Sequence, residues 1–164
     1  MVSVTIRRAT IQDAEAISWL ISEVAQDSIL PGLSEEGRRK FLSDHTSKVM
    51  EHRLGGDFEY FLAELSGRIV GVAGVREGKH LFSLFVSLQR RGIGRALWQH
   101  CLSECVWAPG TVEVTVNASV NAVEAYQRFG FELAGQEQLL GGVRFVPMKC
   151  LLVSGNHIGR RRAT

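Results

Sequence analysis

The residues from Leu84 to Leu97 change their periodicity in mid-run. Leu84-Phe85-Val86 ends an apolar stretch that begins at His80 and reads as a strand. Ile93, Ala96, Leu97, Cys101 and Cys105 then fall at helical spacing, which predicts a helix from near Arg91. Val112, Val114 and Val116, alternating with Glu113, Thr115 and Asn117, read as a half-buried strand. Two strands joined through a helix in this way must run parallel, because only a long crossover returns the chain to the same end of a sheet. That one unit fixes the centre of the fold.

The flanking segments predict the rest of the sheet. Val2, Val4 and Ile6 alternate as a short first strand, and Thr10 with Asp13 caps a helix carrying Ile11, Ala14, Ile17, Leu20, Ile21 and Val24. Pro31-Gly32 breaks it, and Ser34 opens a second helical stretch that Gly55-Gly56 ends. Phe58–Leu65, Arg68–Val75 and His80–Val86 are strand-like runs divided by Ser66-Gly67 and Gly78, which gives an antiparallel meander. Ser119 caps a helix to about Phe129, which Gly130 stops. Phe131 to about Gln138 and Val143–Leu151 are two final strands around Gly141-Gly142. The fold class expected is α/β with a mixed, mostly antiparallel sheet of about seven strands, helices on both faces and one parallel β-α-β unit. Residues 1–153 read as one domain and 154–164 as a solvated basic tail.

Composition narrows the function classes. Of 164 residues, 45% are apolar and 22% charged, which excludes disordered, collagen-like and coiled-coil chains. The net charge of +2 owes part of its excess to Arg160-Arg161-Arg162 and does not describe a nucleic-acid binder. Three cysteines without a CxxC pair support neither a disulfide framework nor zinc, and no metal is expected. A reducing cytoplasm is the expected setting. No apolar run approaches the ~18 residues of a membrane span, and the start lacks a signal-peptide stretch.

The turn at Gln89-Arg90-Arg91-Gly92-Ile93-Gly94-Arg95 is the chemical feature. A helix start has free N–H groups and partial positive charge, the glycines admit close backbone approach, and the arginines add charge. Together they suit a phosphate or pyrophosphate. A dinucleotide fingerprint is incomplete, since its third glycine position is Leu97 and no acidic ribose partner follows. A P-loop lacks its Gly-Lys-Ser/Thr. The pattern Gln89-x-x-Gly92-x-Gly94 remains, beside the plain alternative of a glycine turn packed on a neighbouring strand.

In context, the chain resembles the GNAT superfamily of acyl-CoA-dependent N-acetyltransferases. The resemblance rests on Leu84-Phe85-Val86 with Gln89-Arg90-Arg91-Gly92-Ile93-Gly94-Arg95-Ala96-Leu97, and on the run from Asn117 through Asn121 and Tyr126 to Gly130-Phe131. Ile6–Asp13 and Tyr60–Gly71 look like the family's opening strand and helix and its second and third strands, so most of residues 4–150 are covered. Family members often carry about two more residues before the Gln/Arg of the loop, where this chain has only Ser87-Leu88.

The resemblance implies acetyl transfer from acetyl-CoA to a primary amine of a small molecule or peptide by direct attack. The backbone of Leu84, Phe85 and Val86 would pair with the pantetheine arm. The loop and helix start, from Gln89, Arg90, Arg91, Gly92, Ile93, Gly94 and Arg95 to Ala96, would hold the pyrophosphate. Asn117 and Asn121 would contact the coenzyme, Asn121 near the pantetheine, and Tyr126 would be the general acid as well as a coenzyme contact. No nucleic acid or membrane partner is expected, and a homodimer is compatible with the family. For the base, His80, Glu77 and Glu59 stand beside water-relayed deprotonation. Cys101 and Cys105 read as buried structural thiols. A non-catalytic acyl-CoA-binding regulatory domain on the same fold is the alternative, ahead of an NAD-dependent oxidoreductase.

Overall fold

The computed structural model describes residues 3–152; Val2 and the tail expected at 154–164 lie outside the described residues. The strands are β1 (Thr5–Arg8), β2 (Phe58–Leu65), β3 (Arg68–Arg76), β4 (His80–Val86), β5 (Glu113–Ala118), β6 (Glu132–Leu133), β7 (Gln138–Leu140) and β8 (Val143–Leu151). The helices are α1 (Ala14–Ser28), α2 (Glu35–Ser43), α3 (Ser47–Leu54), α4 (Ile93–Glu104) and α5 (Val123–Arg128). The sheet runs β1-β2-β3-β4-β5-β8-β6, with β7 also on β8. Every pairing is antiparallel except β4 with β5, the pair that α4 connects. The expected mixed α/β fold is the one observed.

Alternation along the strands sorts side chains to two cores. Tyr60, Leu62 and Val72 face Ile17, Leu20 and Ile21 of α1, Phe41 of α2 and Met50 of α3. Phe61, Ala63, Ala73 and Val75 face Ile93, Leu97, Trp98 and Cys101 of α4 and Tyr126 of α5. Trp98 and Trp107 are buried edge to face, whereas Trp19 is on the surface. All three cysteines are free and buried. The neighbouring Cys101 thiol and burial push the Cys105 thiol far above its ordinary range, and burial raises Cys150.

Two runs divide more finely than their periodicity indicates. The stretch from Ser34 to Gly55 is two helices, because both Ser34 and Thr46 act as caps: Ser34 Oγ accepts from Gly37 N at 3.0 Å and Thr46 Oγ1 from Val49 N at 3.3 Å. The run from Phe131 to Gln138 is two strands, which makes eight among the described residues. Ala134 N donates to Pro147 O at 2.9 Å, but Pro147 has no N–H with which to continue the ladder. The hairpin between β7 and β8 then folds over α2. A Cβ on Gly37 would lie 2.9 Å from the Gly142 carbonyl carbon, so the two backbones meet with no room for a side chain.

The start of the chain is held by charge. Arg7 donates from Nη1 and Nη2 to the Asp13 carboxylate at 2.9 Å each, and from Nε to Glu64 Oε1 at 2.6 Å. Asp13 Oδ2 also accepts from Thr10 N at 2.7 Å, which closes the first helical turn. These bonds, Arg7 foremost, hold the Asp13 carboxyl at about 2 against an ordinary 3.8. A carboxyl lowered in the folded state stabilises above its unfolded pKa, and that contribution disappears as pH falls through the folded value. The melting temperature, followed by circular dichroism, should therefore drop between about pH 4 and pH 2. Asp13→Asn should lower it at pH 7 and flatten that acid limb.

Candidate functional site

The parallel pair is short. Only His80↔Thr115 and Leu81↔Val116 are in register, and β4 and β5 then part. Each strand is still held on its other side, β4 by β3 as far as Val86 and β5 by β8 along its whole length. The β3–β4 register shifts at Gly74/Val75, leaving Phe82 as an extra residue on β4. A bulge bends its strand and raises the local twist, and this one stands where β4 turns away from β5. Phe82–Val86 is left without a ladder partner on the β5 side, so that edge offers N–H and C=O groups to whatever lies in the gap.

A cleft of about 1110 Å³ fills that gap. Its floor continues into the turn before α4. Ser87 N donates to Val70 O at 2.9 Å, the Gln89 side chain donates to Val86 O at 2.8 Å, and Arg90 and Gly92 have φ of 61° and 74°. These two left-handed residues reverse the chain within the short connection. No side chain caps α4 and no acid stands in its first turn, so its first N–H groups and the positive end of its dipole stay available. Arg95 leans away from the turn, donating to Arg128 O at 3.1 Å with its guanidinium carbon 5.6 Å from the Phe129 ring centroid.

Tyr126 closes the other wall. It is 8% exposed, and its ring meets Phe129 and Phe131 edge to face at 6.1 and 5.4 Å. Burial pushes its phenol up, which keeps it protonated throughout the neutral range. Asn121 Nδ2 donates to Ser28 O at 3.3 Å, tying the end of α1 to the β5–α5 connection.

The cleft brings together most of the residues singled out from the sequence. Leu84, Phe85, Val86, Gln89, Arg90, Gly92, Ile93, Gly94, Arg95, Asn121 and Tyr126 line it. Arg91, Ala96 and Asn117 do not: Arg91 points to solvent, Ala96 N is engaged by Gly92 O at 3.0 Å, and Asn117 lies in β5 opposite Pro147. None of the three candidate bases lines it either. Glu59 is occupied by Arg8 Nη1 and by Val106 N, each at 2.8 Å. Glu77 sits in the β3–β4 turn beside Lys79. His80 Nδ1 lies 2.7 Å from Thr115 Oγ1, and burial, with the Arg76 charge, brings its imidazole down to about 4. The resemblance also puts the segment around Gln26 to Ser34 near an acceptor pocket, and its Asp27 and Ser28 line the cleft; Glu23, Glu124 and Arg128 are lining residues that the sequence did not single out. Their signal lies in tertiary placement, since on a helical wheel they are ordinary polar positions. Among the described residues no group of three or more His, Cys, Asp or Glu is placed to hold a metal, and no helix is long and apolar enough to cross a membrane.

The family model for the acetyltransferase (GNAT) domain matches residues 29–152. The chain belongs to the GNAT acetyltransferase family. Solved structures share the fold of this GNAT chain at low identity. A GCN5-related N-acetyltransferase from Rhodopseudomonas palustris superposes with a TM-score of 0.78 at 23% identity, covering 93% of this chain and 98% of that one. The PaiA N-acetyltransferase from Thermoplasma acidophilum, in complex with coenzyme A, gives 0.72 at 16%, covering 91% and 99%. The YncA protein from Salmonella typhimurium, with its cofactor acetyl-CoA, gives 0.65 at 18%, covering 93% and 95%. No curated protein matches this GNAT chain.

The turn of this GNAT chain carries a conformational demand that can be measured. A Cβ on Gly92 would touch nothing, so its only penalty is the left-handed backbone. Gly92→Ala should cost about 1–2 kcal/mol in urea unfolding. Gly110, at φ 79° and equally open, should give the same loss when changed to Ala.

Proposed function

We propose that this protein transfers an acetyl group from acetyl-CoA to the primary amine of a small molecule or peptide by direct attack, within one domain spanning residues 1–153. The observation that carries the reading is the unpaired β4 edge opening, in one cleft, onto the uncapped start of α4 and onto Tyr126. The structural relatives with coenzyme A and acetyl-CoA support it.

Each part of the cleft fits one part of the coenzyme. An amide-bearing arm supplies partners for the β4 groups at Leu84–Val86 as an added strand does. The N–H groups and dipole at Gly92–Arg95, with Arg90, suit a pyrophosphate. The thioester supplies the activated acetyl carbon. Attack by the amine breaks the carbon–sulfur bond, and Tyr126 gives the departing sulfur a proton. Holding the two reactants together lowers the barrier by removing the entropy of their encounter. No cysteine lines the cleft, which favours direct transfer over an acyl-enzyme. The free cysteines fit a cytoplasmic setting.

Amine deprotonation falls to water in this reading. His80 is neutral above about pH 4, and burial also lowers His45. The logarithm of kcat/KM should then rise with pH toward the acceptor's own pKa, without an inflection at the usual histidine value of about 6.5.

Isothermal titration with acetyl-CoA, and with NAD in parallel, tests the assignment. The expected result is 1:1 binding of acetyl-CoA and none of NAD. Tyr126→Phe should keep that affinity and lower kcat by about 100-fold. Binding without turnover of any amine would instead identify a regulatory acyl-CoA-binding domain.

A further inference from the structure

One row across the sheet carries polar groups that the fold leaves unpaired. Tyr60 on β2, Gly74 on β3 and Ser83 on β4 are cross-strand neighbours. The Tyr60 ring lies over Gly74, where a Cβ would stand 2.8 Å from its Cδ1 and Cζ, so the phenol extends toward Ser83. Ser83 follows the extra residue Phe82 at the place where β4 leaves β5, and it precedes Leu84, the first β4 residue of the cleft. Arg53, in the last turn of α3, reaches the same place, its guanidinium carbon 4.6 Å from the Phe82 ring centroid and 5.6 Å from that of Phe58. The Tyr60 phenol has Ser83 and Arg53 as its hydrogen-bonding neighbours, although none of these contacts reaches the distance and angle of a formed hydrogen bond.

Four side-chain polar atoms among the described residues are buried without a hydrogen-bond partner, and three of them are here: Tyr60 Oη, Ser83 Oγ and Arg53 Nη1. Tyr60 and Ser83 are each 2% exposed. Buried donors without partners are rare in a native fold and call for an explanation. The charge around them is one-sided. Arg76 places a second guanidinium 5.3 Å from the Phe82 centroid. No carboxylate pairs with Arg53 or Arg76 among the described residues. Burial, with the Arg53 charge at His45 and the Arg76 charge at His80, lowers both nearby imidazoles, against the pull of the Phe41 carbonyl and the Asp44 carboxylate at His45. The carboxylates that line the cleft, Glu23, Asp27 and Glu124, stand on α1 and α5 and not in this row.

We propose that the acceptor carries a carboxylate beside its amine, as an α-amino acid does, and that Arg53, Tyr60 and Ser83 donate hydrogen bonds to that carboxylate. The inference rests on the acetyl-transfer reading. Strand side chains alternate between faces, so Ser83 shares its face with Phe85, the next residue on that side, which lines the cleft beside the row. Arg53 and Phe82 are only half-buried while the polar atoms behind them are covered, so a carboxylate reaches the row only if these two side chains give way. A charged donor with two hydroxyls around one oxyanion pair is the arrangement in which carboxylate binding is strong and specific.

The test uses the full chain with acetyl-CoA and follows thiol release. The acceptors are the standard L-amino acids, their carboxamides, spermidine and an aminoglycoside. The inference expects at least one free amino acid to be acetylated, with kcat/KM about tenfold or more above that of its carboxamide. Arg53→Met and Ser83→Ala should each raise KM for that acid about tenfold, leave KM for acetyl-CoA alone and shrink the acid-to-amide ratio; Arg53→Lys should restore part of it. Ser83→Ala removes an unpaired buried hydroxyl, so its melting temperature should not fall, which separates lost recognition from lost folding. Three results would overturn the inference: carboxamides or spermidine acetylated as well as any amino acid, an acid-to-amide ratio unchanged in the variants, or no amino acid acetylated while acetyl-CoA still binds. Failure of acetyl-CoA to bind at all would instead overturn the transfer reading, and this inference with it.

Discussion

The contact between β4 and β5 holds for two residue pairs and then lets go. The pairings on either side keep this release from unravelling the sheet. Strands with free edges collapse onto any available partner, and a gap in the middle of a sheet persists only if both lips are anchored elsewhere. Here β3 grips one lip through Val86, and β8 grips the other from Glu113 to Ala118. Aromatic packing on α5 and the Asn121–Ser28 bond keep the wedge from closing. The strand edge, the helix start and the phenol meet because the same crossover that makes the strands parallel brings α4 to the point where they separate.

Much of this could be read from residue order. The meander, the parallel unit and the presence of a last strand at Val143–Leu151 follow from alternation and from Gly and Pro breaks, because these are local preferences acting over a few residues; its insertion between β5 and β6 does not. The turn residues from Gln89 to Arg95 announced themselves by glycine content and charge, and Tyr126 by its place in the run from Asn117 to Phe131. Where the reading was too coarse, the reason is equally physical. The division at Thr46 depends on one cap inside a continuous apolar pattern, and the division of the Phe131–Gln138 run depends on Pro147, which belongs to a different strand.

The lining of the cleft was legible where it lies along the chain and illegible where it is assembled across it. Glu23, Asp27 and Ser28 reach the cleft because α1 crosses the face of the sheet above β4, which no spacing within α1 reveals. Arg53, Tyr60 and Ser83 come from a helix and two non-adjacent strands, and their conjunction turns on Gly74 leaving room for a ring. Charge type was a poor guide for the same reason: Glu59 stood among several base candidates in the sequence, but in space it is spoken for by Arg8 and a backbone amide.

The meeting of Gly37 with Gly142 has an evolutionary corollary. The two backbones touch, and a loop at one end of the sheet thereby becomes the neighbour of a helix more than a hundred positions earlier. Neither glycine is free to drift alone. A methyl group gained at position 37 would have to be met by a retreat of the hairpin, and a longer hairpin by a shift of α2. This part of the molecule is thus inherited as a matched pair, and variation in one segment should be recorded in the other.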